Sequence, residues 1–373
     1  MNWLASYLKE AGATVTGSDL RTGGHKASNL PENCDLLVIN AAIDEKNPEM
    51  LAAKRRGIHV TTREELLAHI MSTFPHRIAV AGSHGKSTTT AMISHIFASA
   101  GIAATTHNGA HVVRNVGTYP YSAKQQGSVF ITEACEFQRG FLKLDPTVAV
   151  ITNIDADHLD CFKDLDEVKQ AFAEFAAKAQ TVITHPVSQE VEKLVSKITL
   201  LVPGEHNRQN AKLAAAVAMH FGLTKREIAI GLSTFPGIKG RFQEIGKVWD
   251  CTIISDYAHH PAELAAMIQA AKGIYKKPLV VFQPHTYTRT LALFDDFVRS
   301  LSNVDCALYK TYTARGKPIP GGGANDLAKA LGQKYIATIP TLRKFIDAKS
   351  TEHDVIILTG AGDIVEKLGN SFD

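Results

Sequence analysis

Short runs of β-branched and apolar residues alternate with longer alanine-rich stretches of helical period along the whole chain. That alternation is the pattern of α/β domains built on mainly parallel sheets. It predicts strands at 14–18, 35–40, 77–81, 128–132, 148–152, 181–184, 252–255, 279–282, 306–309 and 355–358. Several of these run directly into polar, glycine-rich segments. In doubly wound sheets the carboxyl edge of the strands is where ligands bind, so the motifs that follow strands carry most of the functional information.

Two segments punctuate the series. Ser72-Thr73-Phe74-Pro75-His76 precedes a new strand, and Phe235-Pro236-Gly237-Ile238-Lys239-Gly240 has the Pro/Gly content of a linker. They divide the 373 residues into three expected domains, 1–74, 75–235 and 236–373, a length that allows more than one hydrophobic core. Lys+Arg 40 against Asp+Glu 37 leaves a net charge of only +3, which argues against a nucleic-acid coat or a polybasic membrane binder and for small-molecule partners. No apolar run approaches the roughly 18 residues needed to cross a bilayer. Residues 1–12 read as an amphipathic helix with Lys9 and Glu10 rather than as a signal peptide, so a cytoplasmic location without membrane association is expected. Cys34, Cys135, Cys161, Cys251 and Cys306 are scattered and never spaced as CxxC, the pattern of reduced, mostly buried thiols rather than of disulfides or structural zinc.

The strongest local signal is the strand at 77–81 entering Gly82-Ser83-His84-Gly85-Lys86-Ser87-Thr88 and then an apolar-periodic helix. Glycines let backbone amides approach phosphate oxygens, and a helix N-terminus favours negative charge. Lys86 suits the terminal phosphates, and the Ser87 hydroxyl suits Mg²⁺. A strict Walker A motif has Gly six residues before the Lys, where Val80 stands here. The plainer alternative is a tight strand-to-helix turn with a solvated Lys86. Two more strands end in acidic segments, Glu133-Ala134-Cys135-Glu136 and Asn153-Ile154-Asp155-Ala156-Asp157-His158. Carboxylates just beyond a strand are placed to hold a hard cation on nucleotide phosphates, although Glu133 and Asp157 also suit helix caps and His158 alone suits an ordinary hydrogen bond. Ser87, Glu133 and His158 together favour the metal. Asn207 and Asn210, three apart at a helix start, suit either a base edge or neighbouring backbone.

In order, AGSHGKSTTTAM, TNIDADHLD, GEHNRQNA and Gly240-Arg241-Phe242 closely resemble the phosphate loop, metal-histidine motif, adenine-side Asn motif and interdomain arginine of the Mur ligase family, ATP-dependent amino-acid ligases of peptidoglycan synthesis. ISDYAHHPAEL, VFQPHTYTRT, Thr16-Gly17-Ser18-Asp19-Leu20 and the closing TGAGDI resemble the family member that adds alanine, and EACEFQRGFLKLDP is similar to Gram-positive versions. The resemblance implies a Rossmann-like N-terminal domain, a P-loop ATPase-like central domain and a Rossmann-like C-terminal domain. Two departures accompany it. Family members usually begin with a strand and a GxGGxG loop, whereas Met1 falls within what matches the following helix, so that loop is expected to be missing from the UDP-sugar domain. The middle domain is compact, with about twenty residues between Thr184 and Gly204.

The implied chemistry is transfer of the ATP γ-phosphoryl to the carboxylate of UDP-N-acetylmuramate, followed by attack of the L-alanine amine on the acyl phosphate. Positioning and charge neutralisation supply most of the catalysis in such a step. By resemblance, Lys86 holds β/γ-phosphates, Ser87 and Glu133 one Mg²⁺ and His158 a second. Asn207 and Asn210 face adenine, Arg241 the γ-phosphate, Asp256 the ribose and Asp19 the nucleotide sugar. His259, His260, His285 and Arg289 lie where the amino acid and acyl phosphate meet, and Thr286 stands where many relatives carry a further Arg. One histidine of the His259-His260 pair is expected to pack and one to function. Gly237 and Gly240 are expected hinges for closing the C-terminal domain, and the expected assembly is a monomer or homodimer. The alternatives are a ligase that attaches a preformed peptide to the muramate and a degenerate nucleotide-binding protein without ligase activity.

Overall fold

The computed structural model describes residues 1–20, 23–41, 43–109, 127–155, 162–314, 316–368 and 372. The chain is α/β with mainly parallel sheets, as the alternation predicts, and the described residues pack as two compact units. Residues 1–109, 127–199 and 210–235 form the first, and residues 200–209 and 236–372 the second.

In the first unit, β1 (Leu36–Ile39) and β2 (His59–Thr62) pair in parallel. A second parallel sheet contains β3 (His76–Ala81), β4 (Ala104–His107), β5 (Val129–Glu133), β6 (Val148–Ile151) and β7 (Thr181–Thr184) in the order β4-β5-β3-β6-β7. Its central strands are buried on both faces, with Ile78, Ala79, Val80, Phe130, Ile131, Ala149 and Val150 fully covered, which is why they read as unbroken apolar runs. Helices α1 (Asn2–Glu10), α2 (Pro48–Arg56), α3 (Arg63–Ser72) and α4 (Lys86–Ser99) surround these sheets. Trp3 and Leu4 of α1 and Leu66, Leu67, Ile70 and Met71 of α3 join Phe130, Phe141 and Phe172 in one core. The Trp3 indole also needs a polar partner when buried, and it donates to Thr106 O at 2.7 Å.

The second unit holds β8 (Gln243–Val248), β9 (Cys251–Asp256), β10 (Pro278–Phe282), β11 (Asp305–Tyr309), β12 (Lys334–Ile336) and β13 (Val355–Thr359) in the order β12-β11-β10-β13-β9-β8. All its neighbours are parallel except the β8/β9 hairpin. Successive residues serve opposite cores: Ile254, Val280, Phe282, Leu308 and Ile357 face one, Ile253, Val281, Ala307, Ile356 and Leu358 the other.

The strand expected at 14–18 does not form, and residues 13–19 carry no regular structure. Its β-branched residues find no ladder partner, and Ser18 Oγ instead donates to Glu49 Oε1 at 2.6 Å. No helix among the described residues is long and apolar enough to cross a membrane. Cys34, Cys135, Cys251 and Cys306 are free thiols, and Cys161 lies outside the described residues.

Candidate active site

In the first unit, the loop expected to hold phosphate links β3 to α4. Its shape depends on two glycines. Gly82 has φ +141° and a Cβ there would stand 1.9 Å from Thr152 Oγ1; Gly85 has φ +81° and a Cβ there would stand 2.4 Å from Asn210 Oδ1. Only glycine tolerates both the backbone and the approach. The loop is tied to the end of β6, since Thr152 Oγ1 and Asn153 Nδ2 donate to His84 O at 2.5 and 3.0 Å, and His84 N donates to Asn153 Oδ1 at 2.9 Å. Ser83 is buried, and its hydroxyl accepts from Asp155 N at 2.8 Å. The His84 ring lies 3.8 Å from Asp155 Oδ2.

Lys86 begins α4, and its side chain folds back over the loop to donate to Gly82 O at 2.5 Å and Ser83 O at 3.1 Å. Its ammonium also meets the Glu136 carboxylate at 3.0 Å. Ser87 Oγ donates to Glu133 Oε2 at 2.6 Å, and Gly109 N donates to Glu133 Oε1 at 2.7 Å, so both carboxylate oxygens are pinned beside the serine. Asn108 Nδ2 fixes the Ser87 carbonyl at 2.9 Å. Thr88 is buried in the first turn of α4. Burial raises the Cys135 thiol above its usual pKa, with Glu136 acting in the same direction, and so keeps it protonated. His158 lies outside the described residues.

Two observations fit an ATP phosphate chain and a hard divalent cation: a glycine cradle that any Cβ would fill, and a hydroxyl-carboxylate oxygen pair beside it. Asn210 is buried against this loop, with its carbonyl oxygen next to Gly85. Asn207, in the first turn of the same Glu205–His220 helix, donates to Pro203 O at 2.6 Å. Asp19 is exposed, and its carbonyl accepts from Gly24 N at 3.1 Å.

In the second unit the expected residues gather beyond the carboxyl ends of β9 and β10. Asp256 is buried and accepts from Phe242 N and Ala258 N, both at 2.7 Å, which fixes the Gly240-Arg241-Phe242 turn. Burial pushes its carboxyl above the usual range, while Arg241 and the two N–H donors pull the other way. Arg241 lies 3.7 Å from Glu263 Oε1 and 5.1 Å above the Tyr257 ring, a cation-π arrangement. Arg289 Nη1 donates to His285 O at 3.5 Å, and the His285 ring stacks on Tyr312 with centroids 5.4 Å apart. Burial, then Arg289, lowers the His285 pKa.

The paired histidines have different surroundings. His260 caps the Pro261–Lys272 helix, its Nδ1 accepting from Ala262 N at 3.4 Å in a capping box closed by Glu263. His259 Nδ1 lies 2.9 Å from Tyr257 O, a carbonyl that can only accept, so Nδ1 carries the proton and the Nε2 lone pair is the ring's acceptor. Burial drops the His259 pKa to about 4, against an upward pull from Glu263, so the ring is neutral at pH 7. Its folded pKa lies below the unfolded value of about 6.5, so the unfolded chain binds more protons between the two. Stability is therefore full above about pH 6.5 and falls as pH drops towards 4, with about 2 kcal/mol lost by pH 5. Denaturant unfolding at pH 7 and pH 5 should show this loss, and His259→Gln should make it smaller; an equal pH dependence in both proteins would refute the assignment.

Glu136, Glu263 and Tyr257 were not among the expected site residues. Glu263 had a readable signal, three residues after His260 across Pro261, as in a helix-capping box. Glu136 stands in the acidic segment after β5, but its pairing with Lys86, distant in sequence, has no local signal.

Residues 1–75 match the Mur ligase family, catalytic domain; residues 80–186 the Mur ligase middle domain; and residues 240–362 the Mur ligase, glutamate ligase domain. The chain is 35% identical to the UDP-N-acetylmuramate–L-alanine ligase of Agathobacter rectalis over 438 residues, covering 98% of this chain and 94% of that protein. Among solved structures it resembles UDP-N-acetylmuramate-alanine ligase from Thermotoga maritima, with a TM-score of 0.76 at 24% identity over 97% of this chain and 88% of that one. It also resembles the folylpolyglutamate synthase/dihydrofolate synthase of Yersinia pestis, solved with AMPPNP and a Mn ion, with a TM-score of 0.59 at 19% identity over 80% of this chain and 90% of that one.

Proposed function

The chain belongs to the Mur ligase family, and from that premise we propose that it joins the amine of L-alanine to the carboxylate of UDP-N-acetylmuramate, with ATP and Mg²⁺, in peptidoglycan precursor synthesis. The observation that carries the ATP half is the loop in which Lys86, Ser87 and Glu133 converge beside the Gly82 and Gly85 cradle. The acceptor half rests on near full-length similarity to alanine-adding ligases.

Lys86 neutralises the terminal phosphates, and the amides at the start of α4 hold their oxygens. Ser87 and Glu133, with His158, hold the metal; a bound divalent cation supplies charge neutralisation on the triphosphate. Asn207 and Asn210 serve the nucleotide, Asp256 sets the turn that presents Arg241, and Asp19 serves the UDP sugar. Arg289 offers a fixed, forked donor set to the amino acid's carboxylate, with His259 and His285 beside it. His260 acts on this site through the helix it caps.

Small apolar side chains are discriminated mainly by pocket volume, so L-alanine should be preferred, with Gly and Ser slower by about 10- to 200-fold. The test is phosphate release by purified protein with UDP-N-acetylmuramate across a panel of amino acids and the tripeptide L-Ala-γ-D-Glu-diaminopimelate. Preference for the tripeptide would assign the peptide-attaching reaction instead. ATP binding without turnover on any acceptor would leave only a nucleotide-binding protein.

A further inference from the structure

The contact between Lys86 and Glu136 is not required by the ligase reading, and it bears directly on the phosphate seat. Both Glu136 oxygens lie 3.0 Å from Lys86 Nζ, and the Glu136 side chain is only 2% exposed. The remaining ammonium donors go to Gly82 O and Ser83 O. A lysine ammonium has three N–H donors, and these three partners engage all of them. Two of the acceptors are neutral carbonyls of the loop itself. The third is an anion from the 3₁₀ segment Phe137–Lys143 and its N-cap, and it is the acceptor with which a phosphate oxygen competes on equal charge terms.

We propose that Glu136 is a latch on the phosphate-loop lysine: it keeps Lys86 folded over the loop when no nucleotide is present and competes with polyphosphate for the ammonium. This makes it a positioning residue, and the proposal rests on the reading of the loop as an ATP site. Drawing Lys86 towards phosphate takes the ammonium away from a buried carboxylate and brings further negative charge near it, and both effects cost binding energy. Nucleotide therefore binds more weakly, and ADP leaves faster, than the cradle alone would dictate.

The test is calorimetric titration of the full chain with Mg·ADP and with a Mg-bound non-hydrolysable ATP analogue, comparing the unsubstituted protein with Glu136→Gln, Glu136→Ala and Glu136→Asp. Gln and Ala should tighten both nucleotides about tenfold, whereas Asp, which keeps the charge, should stay within about threefold of the unsubstituted chain. In turnover, Glu136→Gln should lower KM for ATP and kcat together, because release of ADP slows. A residue that merely propped up the loop would give the opposite sign, since losing it would loosen the cradle and weaken binding. Unchanged or weaker nucleotide affinity in the Gln variant, or in the Ala variant should the Gln protein fail to fold, overturns the latch. Absence of nucleotide binding by the unsubstituted chain overturns the ATP reading instead.

Discussion

Lys86→Ala should give a folded protein whose turnover is at least about a thousandfold lower, because phosphoryl transfer relies on fixed charge at the transferring phosphate more than on any covalent step by the protein. The lysine stands at the first residue of α4 and reaches back to two loop carbonyls, so its removal opens no cavity in the core. It does take the ammonium away from the buried Glu136 carboxylate. Breaking a buried pair from one side costs about 3–5 kcal/mol, so the melting temperature should fall even though the fold persists. Lys86→Ala combined with Glu136→Gln separates the two effects: stability should recover in the double variant and turnover should not. Circular dichroism melts and phosphate release on both proteins make the measurement. Near-normal turnover by a folded Lys86→Ala protein would remove the phosphate-loop assignment.

Most of the strands that the amino-acid pattern reveals are buried on both faces; β1 and β7, which it also reveals, are half-exposed. Ile78, Ala79 and Val80 in β3, or Val280, Val281 and Phe282 in β10, form apolar runs because helices cover both sides of a parallel sheet. The strands it conceals, β2, β4, β8 and β12, lie at sheet edges or in the two-stranded pair, where polar residues such as His59, Thr105, Gln243 and Lys334 interrupt the run. Residues 14–18 fail in the opposite way, having a strand-like composition and no strand to pair with. The same division holds at the site. Lys86, Ser87 and Glu133 sit in contiguous motifs at strand ends and are legible as such. The pairing of Lys86 with Glu136, and of Arg241 with Glu263, joins segments that only the folded chain brings together, and no local spacing encodes it.

Glu133 offers the second large effect, because it is the carboxylate proposed to meet a cation beside Ser87. Its two oxygens are held by Ser87 Oγ and Gly109 N, and each bond is at or below 2.7 Å. Glu133→Gln keeps the length of the side chain, a carbonyl oxygen for the Gly109 N–H and an amide that can donate to the Ser87 oxygen, so the local fold should survive. What it removes is the negative charge, and a hard divalent ion that is reluctant to shed its water binds mainly through charged oxygens. The Mg²⁺ concentration for half-maximal turnover should therefore rise tenfold or more, with kcat at ordinary Mg²⁺ falling by about a hundredfold and part of that loss recovered at high Mg²⁺. Rate measured against Mg²⁺ concentration distinguishes this from a structural role, which would lower kcat at every concentration alike. If the half-saturation point does not move while the rate falls, Glu133 shapes the Ser87 turn and the cation is held elsewhere.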